Sequence, residues 1–106
     1  MRSFHIPHVI GERQHQERQY LEFLRVASMS AGIYFLPAGG NDPQRPHTED
    51  EVYYIIKGRG HIRGGSQDRA VQTGDFVFID AGEDHRFHSI TEDLTLLVFF
   101  APAESS

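Results

Sequence analysis

The sequence predicts a single all-β domain, a sandwich or barrel of short strands, and three observations carry that expectation. Ten Gly and five Pro are spread along 106 residues, so no long stretch is free of chain-breaking residues. The runs between them are rich in β-branched and aromatic residues, such as Val52-Tyr-Tyr-Ile-Ile56 and Leu96-Leu-Val-Phe-Phe100. No composition shift, long linker or internal repeat divides the chain, and its length fits one domain with a buried core.

The elements follow in order. Residues 1–19 form a polar N-terminal arm, one or two helical turns at most and outside the core, because 12–19 hold no apolar side chain. The β-barrel domain then spans 20–106. Its candidate strands are 21–26 (weak), 32–36, 51–57, 61–63, 70–72, 76–80, 85–90 and 94–100. Between them lie turn sequences, including Pro37-Ala-Gly-Gly40, Gly58-Arg-Gly60, Gly64-Gly-Ser-Gln-Asp68 and Ala81-Gly-Glu-Asp84. Residues 101–106 read as a frayed tail.

Composition narrows the function. The hydrophobic fraction of 39% and charged fraction of 24% are those of a water-soluble globular chain. A net charge of −5 without a dense Lys/Arg face argues against nucleic acid as a partner. No run approaches the roughly 20 apolar residues that span a bilayer, and no secretory signal is evident, so no membrane partner and a cytoplasmic address are expected. Without cysteine, any metal must be held by nitrogen and oxygen.

Two stretches carry the chemistry. One runs Gly39-x5-Arg45-x-His47-x3-Glu51-x6-Gly58, the other Gly74-x5-Asp80-x-Gly82-x2-His85-x3-Ser89. A helix would also place His47 and Glu51 together, but Pro46 and the run from Val52 to Ile56 favour a strand. Alternation then puts Arg45, His47, Glu51 and Tyr53 on one face, and His85, Phe87 and Ser89 on one face of a second strand. Two imidazoles and a carboxylate suit a divalent transition metal, Fe, Mn, Ni or Zn, with positions left open. Glu49 shares the parity of Glu51 and is an alternative carboxylate. Arg45 cannot ligate a metal; facing inward it would clamp a carboxylate or phosphate. Gln44 offers a carbonyl oxygen, while Tyr53 and Phe87 either line a substrate pocket or fill the barrel, with Tyr34 a weaker pocket candidate. His88 has the opposite parity to His85 and belongs to packing or the surface, and the cations around Gly58–Gly60 read as a solvated hairpin.

Both spacings resemble the two motifs of the cupin superfamily, Gly-x5-His-x-His-x3–4-Glu-x6-Gly and Gly-x5-Pro-x-Gly-x2-His-x3-Asn. The resemblance covers roughly residues 30–102 and is to small single-domain cupins with one conserved barrel. It implies a jelly-roll β-barrel and a metal site in which His47, Glu51 and His85 are the ligands that remain. The chain departs at Arg45, where the family has its first histidine, at Asp80 for Pro and at Ser89 for Asn. Two classes of function follow. One is a metalloenzyme acting on a small organic molecule, of dioxygenase or isomerase/lyase type, with Tyr53 or Glu49 carrying protons. The other is a non-catalytic module that binds a small anionic or sugar-like ligand through Arg45. The strand 94–100 is apolar on both faces, and a second subunit is expected to cover the outer one, which agrees with the homodimers common among small cupins.

Overall fold

Inward-facing side chains alternate along two long strands, and each strand changes the parity of its inward face once. A computed structural model describes residues 1–43 and 46–105. Its elements are α1 (Ile6–Gln16), β1 (Tyr20–Val26), β2 (Met29–Leu36), β3 (Asp50–Gly64), β4 (Gln67–Gln72), β5 (Phe76–Ile79) and β6 (His85–Ala101). In β3 the buried positions are Glu51, Tyr53 and Ile55, then Gly58, Gly60 and Ile62. In β6 they are His85 and Phe87, then Ile90, Leu94, Leu96, Val98 and Phe100. Each switch sits at a residue with positive φ, Gly58 at 113° and Ser89 at 49°. The pairing of β3 with β6 shifts register between Ile55 and His61. An inserted residue of this kind bends a strand and reverses which side chains face in. That is why alternation alone divides each of these strands into two, as in the segments 51–57 and 61–63, or 85–90 and 94–100.

The bends close the sheet. Its order is β1-β2-β6-β3-β4, with β5 sharing with β4 the edge of β3 opposite β6. The first half of β3 lies between β5 and the end of β6, with Glu51 opposite both Ile79 and Phe100. The second half lies between β4 and the start of β6, with Ile62 opposite both Arg69 and Phe87. Glycine is required at 58 for two reasons: its φ is unfavourable for side chains, and a Cβ there would lie 2.2 Å from the Asp93 carbonyl oxygen. The enclosed core includes Leu36, Tyr53, Ile55, Leu94 and Leu96, all without solvent exposure.

The two chain ends differ from expectation. The arm holds an 11-residue helix with Pro7 in its first turn, packed against β1 and β2. Val9 is buried, and so is Arg13, whose guanidinium lies 4.5 Å over the Phe35 ring and donates to the Arg18 carbonyl at 2.6 Å. A buried face built on an arginine is invisible to a hydrophobic pattern, and it covers part of the outer sheet that the arm was expected to leave bare. The C-terminal tail is not frayed. Glu104 N–H donates to Ser30 Oγ at 2.9 Å, Arg25 donates to the Glu104 carbonyl at 2.7 Å, and Ser105 Oγ donates to Glu49 at 2.8 Å.

On the surface, Arg59 pairs with Glu92 and Arg63 with Asp68, while His88 reaches Asp68 at 2.9 Å, in keeping with a solvated hairpin. Among the described residues, no helix is long and apolar enough to cross a membrane. Gly58→Ala is expected to lower stability by more than about 3 kcal/mol in urea unfolding, from strain and overlap combined. Ser89→Asn, which suits a left-handed residue better, is expected to raise it by about 0.5 kcal/mol.

Candidate functional site

The two motifs meet through backbone before they meet through side chains. Gly82, left-handed at φ 78°, donates its N–H to the His47 carbonyl at 2.6 Å, and Ala81 N–H donates to Asp50 at 2.9 Å. The loop leading into β6 is thereby tied to the segment leading into β3, with His85 and Glu51 at the two strand starts.

His85 and Glu51 are each 1% exposed at the side chain, and Nε2 of His85 lies 3.0 Å from Oε1 of Glu51. The other ring nitrogen, Nδ1, is 3.0 Å from the Glu83 carbonyl, which accepts and so assigns the proton to Nδ1. Tyr53 Oη stands 3.0 Å from Nε2. The Glu83 contact fixes the ring plane from the nitrogen turned away from Glu51, as an outer hydrogen bond does for a ligating histidine, while Tyr53 shares Nε2 with Glu51. Burial opposes the charged form of His85, but the facing Glu51 carboxylate, with the Glu83 carbonyl and Asp42, outweighs it and holds the pKa above its ordinary value.

Neither oxygen of Glu51 accepts a hydrogen bond among the described residues, and neither does Tyr20 Oη find a partner there. All three atoms are buried, and both residues line one cavity of about 160 Å³. Its other walls are Tyr34, His47, Val98, Phe100 and Glu104. His47 packs edge-on against Phe100 at 4.8 Å between centroids, 6.1 Å from the His85 ring, and its Nδ1 is 3.4 Å from Glu104 Oε2. Tyr20 reaches over the sheet because Gly32 beneath it has no side chain; a Cβ there would overlap the phenol ring. Burial pushes the Tyr20 phenol well above its ordinary range, and it pushes the Glu104 carboxyl up as well, with Glu51, Glu49 and Glu22 adding to the rise against the pull of His47.

The three residues expected as ligands therefore lie close together. Glu51 meets His85 directly, while His47 faces the same cavity but contacts Glu104. Among the described residues, no three His, Asp or Glu side chains already converge as a metal-ligand set. The donor chemistry nevertheless suits a divalent metal: two imidazoles, and a buried carboxylate with one of them as its close partner among the described residues. Of the pocket candidates, Tyr53 and Phe87 are fully buried against each other at 4.8 Å, beneath His85 and away from the cavity wall. Gln44 and Arg45 lie outside the described residues. Glu49, the alternative carboxylate, accepts from Thr48 and Ser105 through Oε2, while its buried Oε1 has no partner among the described residues, and it is not among the residues lining the cavity.

Three residues that matter here were not singled out from sequence. Asp42 is buried and bridges Tyr34 Oη at 2.8 Å and the Phe87 N–H at 2.9 Å, joining a loop to β6. Tyr20 and Glu104 come from the first strand and the tail, far from either motif. Only the apolar neighbours of Tyr20 could have pointed to it; Glu104 has no local signal at all.

Comparison with known proteins agrees with this geometry. The family model described as a cupin domain matches residues 32–100. An uncharacterized protein of Streptomyces coelicolor is 44% identical over 105 residues, covering 99% of this chain and 100% of its own length. An oxalate-binding protein of Thermotoga maritima is 37% identical over 51 residues, which is 47% of this chain and 42% of that protein. A crystal structure from Bacillus halodurans superposes with a TM-score of 0.81 at 17% identity, covering 99% of this chain and 85% of that one, and so supports the fold alone. With the family model spanning most of its length and the barrel built around both motifs, the chain belongs to the cupin family.

Proposed function

We propose that this cupin binds a divalent transition metal through His47, Glu51 and His85 and acts on a small organic molecule in the cavity beside them. The observation that carries this reading is the Glu51 carboxylate, 1% exposed at the cavity wall, with the His85 imidazole 3.0 Å away as its close partner among the described residues. A carboxylate buried to this degree is costly unless cations meet it, and one imidazole leaves its second oxygen open to a metal. When bound, the metal would supply Lewis-acid or oxygen chemistry of the dioxygenase or isomerase/lyase kind. The protein's own contribution is positional. Glu83 and Tyr53 hold the His85 ring, Phe100 backs His47, and Tyr20 and Tyr34 present phenols to a bound molecule. A cavity of about 160 Å³ is small beside the roughly 300–1,000 Å³ typical of drug-sized ligands, so the substrate is a molecule of a few carbon atoms.

A second reading, a non-catalytic module for a small anion with Arg45 as clamp, draws on the local similarity to the oxalate-binding protein. The described walls supply it with no cation of their own and two carboxylates, Glu51 and Glu104, so it rests on Arg45, which lies outside the described residues. Elemental analysis of untagged protein separates the two readings. Near-stoichiometric iron, manganese, nickel or zinc in the wild type, lost in His47→Ala/His85→Ala, is the expected result. A metal-free protein that refuses added metal but binds oxalate would establish the second.

We further propose a homodimer, formed on the outer face of the sheet. Phe76 and Phe78 are 68% and 53% exposed, and they pair across to Tyr54 and Val52, giving a contiguous apolar patch away from α1. Leu97 and Phe99 extend it on β6, where they stand opposite Tyr54 and Val52. Sedimentation equilibrium is expected to give a dimer for the wild type and a monomer for Phe76→Ser/Phe78→Ser. A monomeric wild type would refute the assignment.

A further inference from the structure

The tail brings a second carboxylate into the cavity. Glu104 lies beyond the end of β6, after the cis Ala101–Pro102 bond, and its position is set by bonds from both sides of it. Ser30, itself fully buried, accepts its N–H, Arg25 donates to its carbonyl, and the next residue is held by Glu49. Its side chain is 25% exposed, lines the same cavity as Glu51, and stands 3.4 Å from His47. Two carboxylates thus share a cavity whose described walls hold no Lys or Arg. One of them, Glu51, is almost completely buried, with the His85 imidazole 3.0 Å from one oxygen.

We propose that Glu104 is an additional oxygen ligand for the divalent metal, supplied by the C-terminal tail in a chain that has Arg45 where its family has a further histidine. The proposal rests on the reading of His47, Glu51 and His85 as metal ligands. Its chemistry is that of a hard oxygen donor added to two imidazoles and one carboxylate, which favours Mn²⁺, Fe²⁺ or Co²⁺ over a site closed by nitrogen. The residues that would hold the metal are then His47, Glu51, His85 and Glu104, which in the metal-free protein pair as His47–Glu104 and Glu51–His85. The tail is then part of the site, and its anchors Ser30, Arg25 and Glu49 act as positioning residues.

The test is titration calorimetry of metal-stripped protein with Co²⁺ alone, together with the visible absorption of the Co²⁺ complex, for wild type, Glu104→Gln and His47→Ala/His85→Ala. Glu104→Gln keeps the side-chain volume, so its metal-free melting temperature serves as a check on folding, and Glu104→Asp is the second variant should it fail. The expected result is affinity weakened at least about tenfold in Glu104→Gln with a changed absorption band, partial recovery in Glu104→Asp, and loss of binding in the double mutant. Wild-type affinity and spectrum in Glu104→Gln, with loss only in the double mutant, would overturn the role of Glu104 and leave the three-ligand reading standing. No binding by the wild type would overturn both.

Discussion

Strands of 15 and 17 residues are too long to stay straight and still wrap a small core, so each must fold over once. The crossing of Gly58 with the Asp93–Leu94 backbone is where this happens. Only a residue without Cβ lets the two chains approach so closely, and the positive φ turns β3 at the same point. Everything downstream depends on that fold. It lets β3 pair with β5 and β4 on its two halves and lets β6 follow it along both. The start of β6 thereby returns to the start of β3, where the Gly82–His47 backbone bond locks the two loops.

The site formed at that junction is electrostatically unbalanced. A buried ion pair is stable only when its geometry is good and its remaining lone pairs are satisfied. His85 meets the first condition through Glu83 and Tyr53, but Glu51 does not meet the second. Stability alone would favour an apolar residue at this position, since Ile55 and Leu96 fill the same interior without such cost. A carboxylate at this position carries a cost that the proposed metal would offset. Its cavity partners, the unbonded Tyr20 phenol and the tail carboxylate, point in the same direction.

Much of this was legible in the sequence where the signal is local. Glycine spacing and alternation gave the all-β class, and motif spacing placed His47, Glu51 and His85 together. It also gave Tyr53 and Phe87 the correct parity, although both turned out to lie beneath the site. What escaped depends on contacts between distant segments. Arg13 is buried because an aromatic ring lies under it, Asp42 because a phenol and a backbone N–H converge on it, and Glu104 because Ser30 and Arg25 hold the tail. Each is a charged residue in a polar stretch, and in such stretches the default expectation is solvation. The tail in particular reads as disordered, since no apolar pattern binds it to the barrel.

The positions of the two parity switches also explain how one strand serves two surfaces. Before the switch, β3 turns Glu51 toward the cavity and Tyr53 into the core beneath it, and Val52 and Tyr54 toward the aromatic outer patch. A slip of one residue would exchange them, placing an uncompensated carboxylate outside and a valine in the site. The irregularity at Gly58 is tolerated because it falls beyond Ile55, after the last residue that must face the cavity end. In β6 the order is reversed. Ser89 reverses the inward face after His85 and Phe87 have been placed, so that Val98 and Phe100 can line the opposite wall with even parity. Two irregularities, one on each long strand, thus bring an odd-parity histidine against Glu51 and even-parity residues of the same strand to the cavity that Glu51 lines, which regular alternation would have separated.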